Sequence, residues 1–165
     1  MKNALIAATL STMALVDAPA ARSESITVNP VGAAASVLAD AKNFTGHVVV
    51  DMLLPSSLST PASSGLVTFA PGARTAWHSH PLGQMLIVTA GKGWVQQEGQ
   101  DRQEITQGQT VWIPAGVKHW HGGTARNAMS HYAITYIQDG KNAEWMELVS
   151  DEQYLDQVAP AHSHR

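Results

Sequence analysis

The sequence contains no cysteine among its 165 residues. This absence excludes disulfide bonds, thiolate metal sites, iron–sulfur clusters and cysteine nucleophiles. Histidine, with eight copies, is the remaining soft metal ligand and acid–base side chain. The functional interpretation therefore depends on where the histidines stand.

The sequence also has little charge and no basic excess. Ten Lys and Arg residues against 13 Asp and Glu give a net charge of −3, and charged residues make up only 14% of the chain. A nucleic-acid-binding protein needs a clustered basic surface to displace counterions from phosphates, so we expect no nucleic-acid partner. The 44% of hydrophobic residues and the chain length predict one globular domain with a substantial core.

No apolar run reaches the about 20 residues that a membrane-spanning helix needs. The first 20 residues instead combine Lys2, an apolar run over residues 4–16 and the small residues Ala18-Pro19-Ala20. This order is typical of a secretory signal peptide. We expect cleavage at Ala20 or Ala21, export to the periplasm and no membrane association afterwards. The alternative is an uncleaved alanine-rich tail.

The remaining chain divides into an N-terminal arm or linker at 21–43, one domain at 44–158 and a flexible tail at 159–165. Short β-branched runs separated by Gly and Pro turns predict an all-β sandwich or barrel. A capping box at Ser150-Asp151-Glu152-Gln153 predicts a short C-terminal helix over 151–158. The predicted turns include one at 90–93. The predicted strands are 45–54, 65–69, 84–90, 93–98, 102–105, 110–113, 119–122 and 129–137.

The histidines are spaced for a metal ion. His78 and His80 are two residues apart, which on a strand places both imidazoles on one face. Gln84 follows a Pro-Leu-Gly turn, and His119 stands on a later strand. Imidazole suits Zn, Cu, Fe, Ni and Mn, whereas an amide oxygen is a harder ligand that favours Mn or Fe. The alternative is a surface pair, or core histidines bonded to the backbone.

Two motifs resemble those of the cupin superfamily. Five residues separate Gly72 from His78-Ser79-His80, three more separate His80 from Gln84, and Gly91 closes the first motif. The second runs from Gly108 through Pro114-Ala115-Gly116 to His119. The departures are Gln84 for the usual glutamate ligand and Gly123 for the usual asparagine. The resemblance implies a double-stranded β-helix, or jelly-roll barrel, with a metal inside.

A closer resemblance, over about residues 44–155, is to small bacterial manganese-dependent cupins with hydroxynitrile lyase activity. It is carried by runs such as Ala73-Arg74-Thr75-Ala76-Trp77-His78 and His119-Trp120-His121-Gly122. It implies that His121 is the acid–base group, that His131 positions substrate or shares this role, and that Thr75 hydrogen-bonds the substrate. Small side chains at Gly65 and Val67 would leave room for an aromatic substrate. The implied metal ligands are His78, His80, Gln84 and His119.

The replacement of glutamate by Gln84 has a chemical consequence. Three neutral imidazoles and a neutral amide leave the full charge of a divalent cation uncompensated, so the site favours an alkoxide or cyanide. We therefore expect a metal-dependent lyase that interconverts a cyanohydrin with an aldehyde and hydrogen cyanide. Manganese is the expected metal, with Fe, Zn or Ni as alternatives.

Three other functions remain open from the sequence. These are a cupin dioxygenase, a lyase acting on another small molecule such as an unsaturated uronate, and a non-catalytic periplasmic module that binds a metal or ligand. Apolar strands and five tryptophans also favour a homo-oligomer, with the arm at 21–43 as a contact.

Overall fold

The computed structural model describes residues 25–30, 32–57 and 60–155. The predicted signal peptide, the end of the predicted helix and the predicted tail lie outside these residues. Within them, no helix has the length and apolar character to cross a membrane.

The described residues form twelve strands and one short helix, as the all-β prediction required. The helix, α1, covers Asp151–Leu155. The strands, numbered along the chain, are β1 Val37–Leu38, β2 Phe44–Thr45, β3 Val48–Leu54, β4 Ala62–Phe69, β5 Arg74–Thr75, β6 His78–Ser79, β7 Gln84–Gln97, β8 Gln103–Thr106, β9 Thr110–Ile113, β10 His119–Gly123, β11 Met129–Tyr136 and β12 Glu144–Trp145.

The strands form one curled antiparallel sheet in the order β1-β3-β4-β11-β7-β10-β5-β2, with β8 and β9 also paired to β7. Strand β6 pairs with β10 and β12. Strand β7 joins the two halves of the barrel, because its first part pairs with β11 and its second part with β10. This is the jelly-roll arrangement predicted from the sequence.

The predicted turn at 90–93 is wrong, because β7 continues through it as a bent strand. Gly91 has a φ of +73°, and a Cβ there would lie 2.1 Å from the Ala128 carbonyl oxygen. The glycine that suggested a turn instead permits the close approach of β11 at the bend. The predicted strand 45–54 is likewise split at Gly46, whose φ is +79°, so that β2 and β3 pair in different halves of the barrel.

The core lies between the two halves of the sheet. Inward-facing residues alternate along the strands, as in Val67 and Phe69 on β4, and pack with Val88, Val95 and Met129. A second cluster packs Tyr154 of α1 with Trp77, Trp120 and Val149. The predicted capping box is present, since Ser150 Oγ accepts from Gln153 N at 3.1 Å and Gln153 Oε1 accepts from Ser150 N at 3.0 Å.

Candidate metal centre

Three buried histidines converge inside the barrel. His78 opens β6, His80 follows that strand, and His119 opens β10, where it stands directly opposite His78. One ring nitrogen from each of the three lies within 4.8 Å of the others. The spacing of the first two and the antiparallel pairing of β6 with β10 therefore bring together residues that are 41 positions apart.

The backbone fixes the orientation of each ring. The Nδ1 atom of His78 lies 3.0 Å from the Ala76 carbonyl oxygen, that of His80 lies 2.6 Å from Asn142 O, and that of His119 lies 2.9 Å from Val117 O. A carbonyl oxygen only accepts, so each Nδ1 carries the proton and each Nε2 keeps its lone pair. The Nε2 atoms of His80 and His119 are buried without a hydrogen-bond partner among the described residues.

Gln84 supplies a fourth group. It opens β7 opposite Thr135 on β11, and its Nε2 donates to Thr135 Oγ1 at 2.8 Å. Its Oε1 is buried and has no hydrogen-bond partner among the described residues. Buried acceptors without partners are costly unless something neutralises them, and a divalent cation would do so. Three imidazoles and one carboxamide oxygen thus fit a divalent metal ion.

The pKa values of the histidines suit this role. Burial lowers the pKa of His119 to about 4, and burial together with the neighbouring His119 and His80 lowers the pKa of His78 well below its usual value. Burial also lowers the pKa of His80. The three rings are therefore neutral at neutral pH, as metal ligands must be.

A cavity of about 170 Å³ opens beside His78, His80 and Gln84. Its remaining polar groups are few, and none of its described lining side chains is a carboxylate. Half of its lining residues are apolar. These apolar lining residues are Phe44, Val50, Met52, Gly65, Val67, Ala133, Ala143 and Trp145.

The predicted catalytic residues lie together next to this cavity. His121, two positions beyond His119, lines the cavity, and its Nδ1 lies 3.2 Å from Nε2 of the fully buried His131. The other ring nitrogen of His121, Nε2, is buried and has no hydrogen-bond partner in the described part of the chain. The backbone N–H of His121 donates to Thr75 Oγ1 at 3.2 Å, and Thr75 also lines the cavity. Burial lowers the pKa of His121 well below its usual value and that of His131 to about 4.

Sequence reasoning missed the role of Trp145. From the sequence the five tryptophans favour only contacts between subunits, whereas the Trp145 ring stacks on His78 at 4.6 Å between centroids and forms part of the cavity wall. Its strand β12 is only two residues long and pairs with β6. No local pattern marks so short a strand, so its pairing could not be read from the sequence.

Comparisons with known proteins agree with this geometry. Residues 65–141 match the family model described as a cupin domain. Over 127 residues the chain is 51% identical to the (R)-mandelonitrile lyase of Granulicella tundricola, covering 77% of this chain and 97% of that protein.

Solved structures show the same fold. A cupin-like protein from Thermotoga maritima superposes with a TM-score of 0.68 at 40% identity, covering 71% of this chain and 89% of its own. A cupin-2 domain from Rhodospirillum rubrum gives a TM-score of 0.58 at 14% identity, covering 74% and 80%. The second likeness concerns the fold alone.

The five buried histidines should make the metal-free protein sensitive to acid. In the unfolded chain each has a pKa near 6.5, whereas burial lowers the pKa in the folded protein. As the pH falls below 6.5, protons bind the unfolded chain preferentially, at up to about 1.4 kcal/mol per pH unit for each histidine. We expect the free energy of unfolding to be level above pH 6.5 and to decrease towards pH 4.

Urea unfolding of chelator-treated protein, at several values between about pH 7.5 and pH 5, measures this dependence. A His131→Gln variant should show a shallower slope, because one buried titrating group is removed. Equal free energies of unfolding at the two ends of the range would contradict the assignment of neutral buried imidazoles.

Proposed function

Because this chain belongs to the cupin family, we propose that its metal centre serves a hydroxynitrile lyase reaction, the cleavage and synthesis of cyanohydrins from an aldehyde and hydrogen cyanide. The observation that carries the proposal is the cavity lined by His78, His80, Gln84 and His121, among whose described lining residues there is no carboxylate. His119 completes the cluster of three histidines, and Nε2 of His121 has no hydrogen-bond partner among the described residues. The relative from Granulicella tundricola, named a mandelonitrile lyase, supports the same reaction class.

We propose manganese as the bound ion, because a carboxamide oxygen is a harder ligand than imidazole. The holding groups would be His78, His80, Gln84 and His119. A bound divalent cation would supply a Lewis acid for the oxygen on which negative charge develops. Because all four ligands are neutral, the charge of the ion would be available to the substrate anion rather than cancelled by the protein.

His121 is the proposed acid–base group. For its Nε2 to accept a proton, its Nδ1–H must donate to His131 Nε2, which the 3.2 Å distance allows. Nε2 of His121 then takes the proton of the cyanohydrin hydroxyl, the carbonyl double bond forms, and the bond to the nitrile carbon breaks with its electron pair on cyanide. The same Nε2–H returns the proton to cyanide, so that an aldehyde and hydrogen cyanide leave.

The other cavity residues suit an aromatic substrate. The wall formed by Phe44, Val67 and Trp145 is apolar, and Gly65 leaves space that a side chain would occupy. Of the atoms that the structure describes, a Cβ at position 65 would meet Asp51 O at 3.4 Å and a Val50 methyl at 3.8 Å. The ring of an aryl cyanohydrin would lie against this wall while its hydroxyl faces His121. Thr75 would hydrogen-bond the substrate.

We further propose that the enzyme is exported to the periplasm, on the strength of the signal-peptide pattern in residues 1–20. N-terminal sequencing of the protein from a periplasmic fraction tests this. A mature chain beginning just after Ala20 or Ala21 would support export, and an intact Met1 in the cytoplasmic fraction would refute it.

A homo-oligomer is also proposed, with the outer face of the barrel as the contact between copies. Trp112, Met85 and Ile134 lie side by side on β9, β7 and β11, and Tyr132 extends this apolar row. The exposed fractions of Trp112 and Tyr132 are 53% and 39%. Light scattering on the wild type and a Trp112→Lys variant tests the contact, and a monomeric wild type would refute it.

Removal of the metal should abolish the lyase activity. We expect protein dialysed against a chelator to lose mandelonitrile cleavage, and added Mn²⁺ to restore it, because the developing alkoxide then has no counter-charge. Benzaldehyde release measures the reaction. Cleavage that is unaffected by metal removal would contradict the proposal. Oxygen uptake with a catechol by the iron-loaded protein, without cyanohydrin cleavage, would favour the dioxygenase alternative.

A His121→Ala variant should keep its metal and lose turnover. None of the four metal-holding groups is hydrogen-bonded to the His121 ring, so metal content should match that of the wild type. We expect kcat to fall roughly 10²–10⁴-fold, the usual contribution of a general acid–base group.

The matched control for this experiment is His47→Ala, which removes an exposed histidine between β2 and β3. Its activity should equal that of the wild type. A metal-loaded His121→Ala enzyme with wild-type kcat would exclude His121 as the acid–base group. A much larger loss in His131→Ala than in His121→Ala would move the role to His131.

A further inference from the structure

We propose that Thr135 is a positioning residue that holds the carboxamide of Gln84 with its oxygen, rather than its NH₂ group, towards the three histidines. This inference rests on the metal centre of the proposed function but not on the reaction catalysed there. Thr135 belongs to neither cupin motif and is not among the predicted metal ligands.

The need for such a residue follows from the asymmetry of a carboxamide. A carboxylate presents an oxygen to a cation in either orientation, whereas a glutamine side chain turned by 180° presents an NH₂ group that has no lone pair to offer. The replacement of the usual glutamate by Gln84 therefore introduces a wrong orientation that the protein must exclude. A glutamate ligand does not have this difficulty.

Thr135 contacts the end of the amide that must face away from the histidines. Its Oγ1 accepts the hydrogen bond from Gln84 Nε2 at 2.8 Å, and Oε1, at the other end of the amide, is buried without a hydrogen-bond partner among the described residues. The two residues are direct cross-strand neighbours on β7 and β11, and both are buried, with exposed fractions of 5% and 7%. A threonine side chain has few rotamers, so its hydroxyl is held at a fixed place.

The experiment is a double-mutant cycle on Mn²⁺ affinity. Free Mn²⁺ is quantified by its six-line EPR spectrum during titration of the wild type, Thr135→Val, Gln84→Glu and the double variant. Thr135→Val keeps the shape of the side chain and removes the acceptor. We expect it to weaken Mn²⁺ binding about 10–100-fold, the range typical of residues that orient a metal ligand.

The Gln84→Glu background shows whether Thr135→Val acts through the orientation of the carboxamide or through a general change in the structure of the site. In Gln84→Glu, both ends of the side chain are oxygens, so Thr135→Val should change the affinity by less than about threefold. Thr135→Ser keeps the hydroxyl and should restore most of the wild-type affinity. Thr135→Ala serves as a second deletion of the hydroxyl should the valine variant fold poorly.

The matched control is Thr68→Val. Thr68 also bridges β4 and β11 through a hydroxyl hydrogen bond, to Ser130 Oγ at 2.9 Å, but it does not line the cavity. We expect this variant to bind Mn²⁺ like the wild type. A loss of affinity equal to that of Thr135→Val would assign both effects to the sheet rather than to Gln84.

The outcomes separate this inference from the proposed function. Tight Mn²⁺ binding with the expected coupling, but without cyanohydrin cleavage, would refute the lyase proposal and leave the role of Thr135 intact. Cleavage with equal effects of Thr135→Val in both backgrounds would overturn the role of Thr135 alone. A wild-type protein that binds no Mn²⁺ would overturn both.

Discussion

The three hydrogen bonds between histidine Nδ1 atoms and backbone carbonyl oxygens are the constraint on which the site depends. They tie the rings of His78, His80 and His119 to Ala76, Asn142 and Val117. Each bond fixes a tautomer and a ring plane, and together they leave Nε2 lone pairs inside the barrel. The bonds of His78 and His119 are local, because each reaches the carbonyl two residues earlier in the chain. The bond of His80 to Asn142 joins residues 62 positions apart, so the orientation of this third ring depends on the tertiary fold.

The fourth donor changes what such a centre can do. With Gln84 in place of a carboxylate, all four donors are neutral, and the described side chains that line the adjoining cavity include no acid. The low dielectric of the interior then leaves the charge of a bound cation to be balanced by the substrate. This charge would stabilise an alkoxide or a cyanide ion, the two anions that form when a cyanohydrin is cleaved. A carboxamide ligand must present its oxygen and not its NH₂ group to the ion. The hydrogen bond to Thr135 is proposed to hold it in that orientation.

Much of the site was predictable because it is encoded locally. The i, i+2 spacing of His78 and His80, the Pro-Leu-Gly turn before Gln84 and the Pro-Ala-Gly turn before His119 place these side chains without knowledge of distant contacts. The resemblance to cupins indicated that the two motifs contribute ligands to one metal site. The position of His121 followed from its offset of two from His119, which the structure confirms as a cavity-lining position.

The features that could not be predicted depend on contacts between distant segments. Strand β12 has two residues and no periodicity, so the stacking of Trp145 on His78 arises only from its pairing with β6. The bond from Gln84 to Thr135 requires the register of β7 on β11, which the bend at Gly91 and the bulge between Ser130 and His131 set. The prediction of a turn at 90–93 is wrong at this same bend, because a glycine at positive φ is compatible with either a turn or a bent strand.

Pulsed EPR of the Mn²⁺-loaded protein tests the central claim most directly, because nitrogen hyperfine couplings count the imidazoles bound to the ion. The neutral, convergent donor set requires couplings from three imidazole nitrogens, a number that should fall by one when His119 is replaced by alanine. A spectrum with fewer than three imidazole couplings in the wild type would contradict the account.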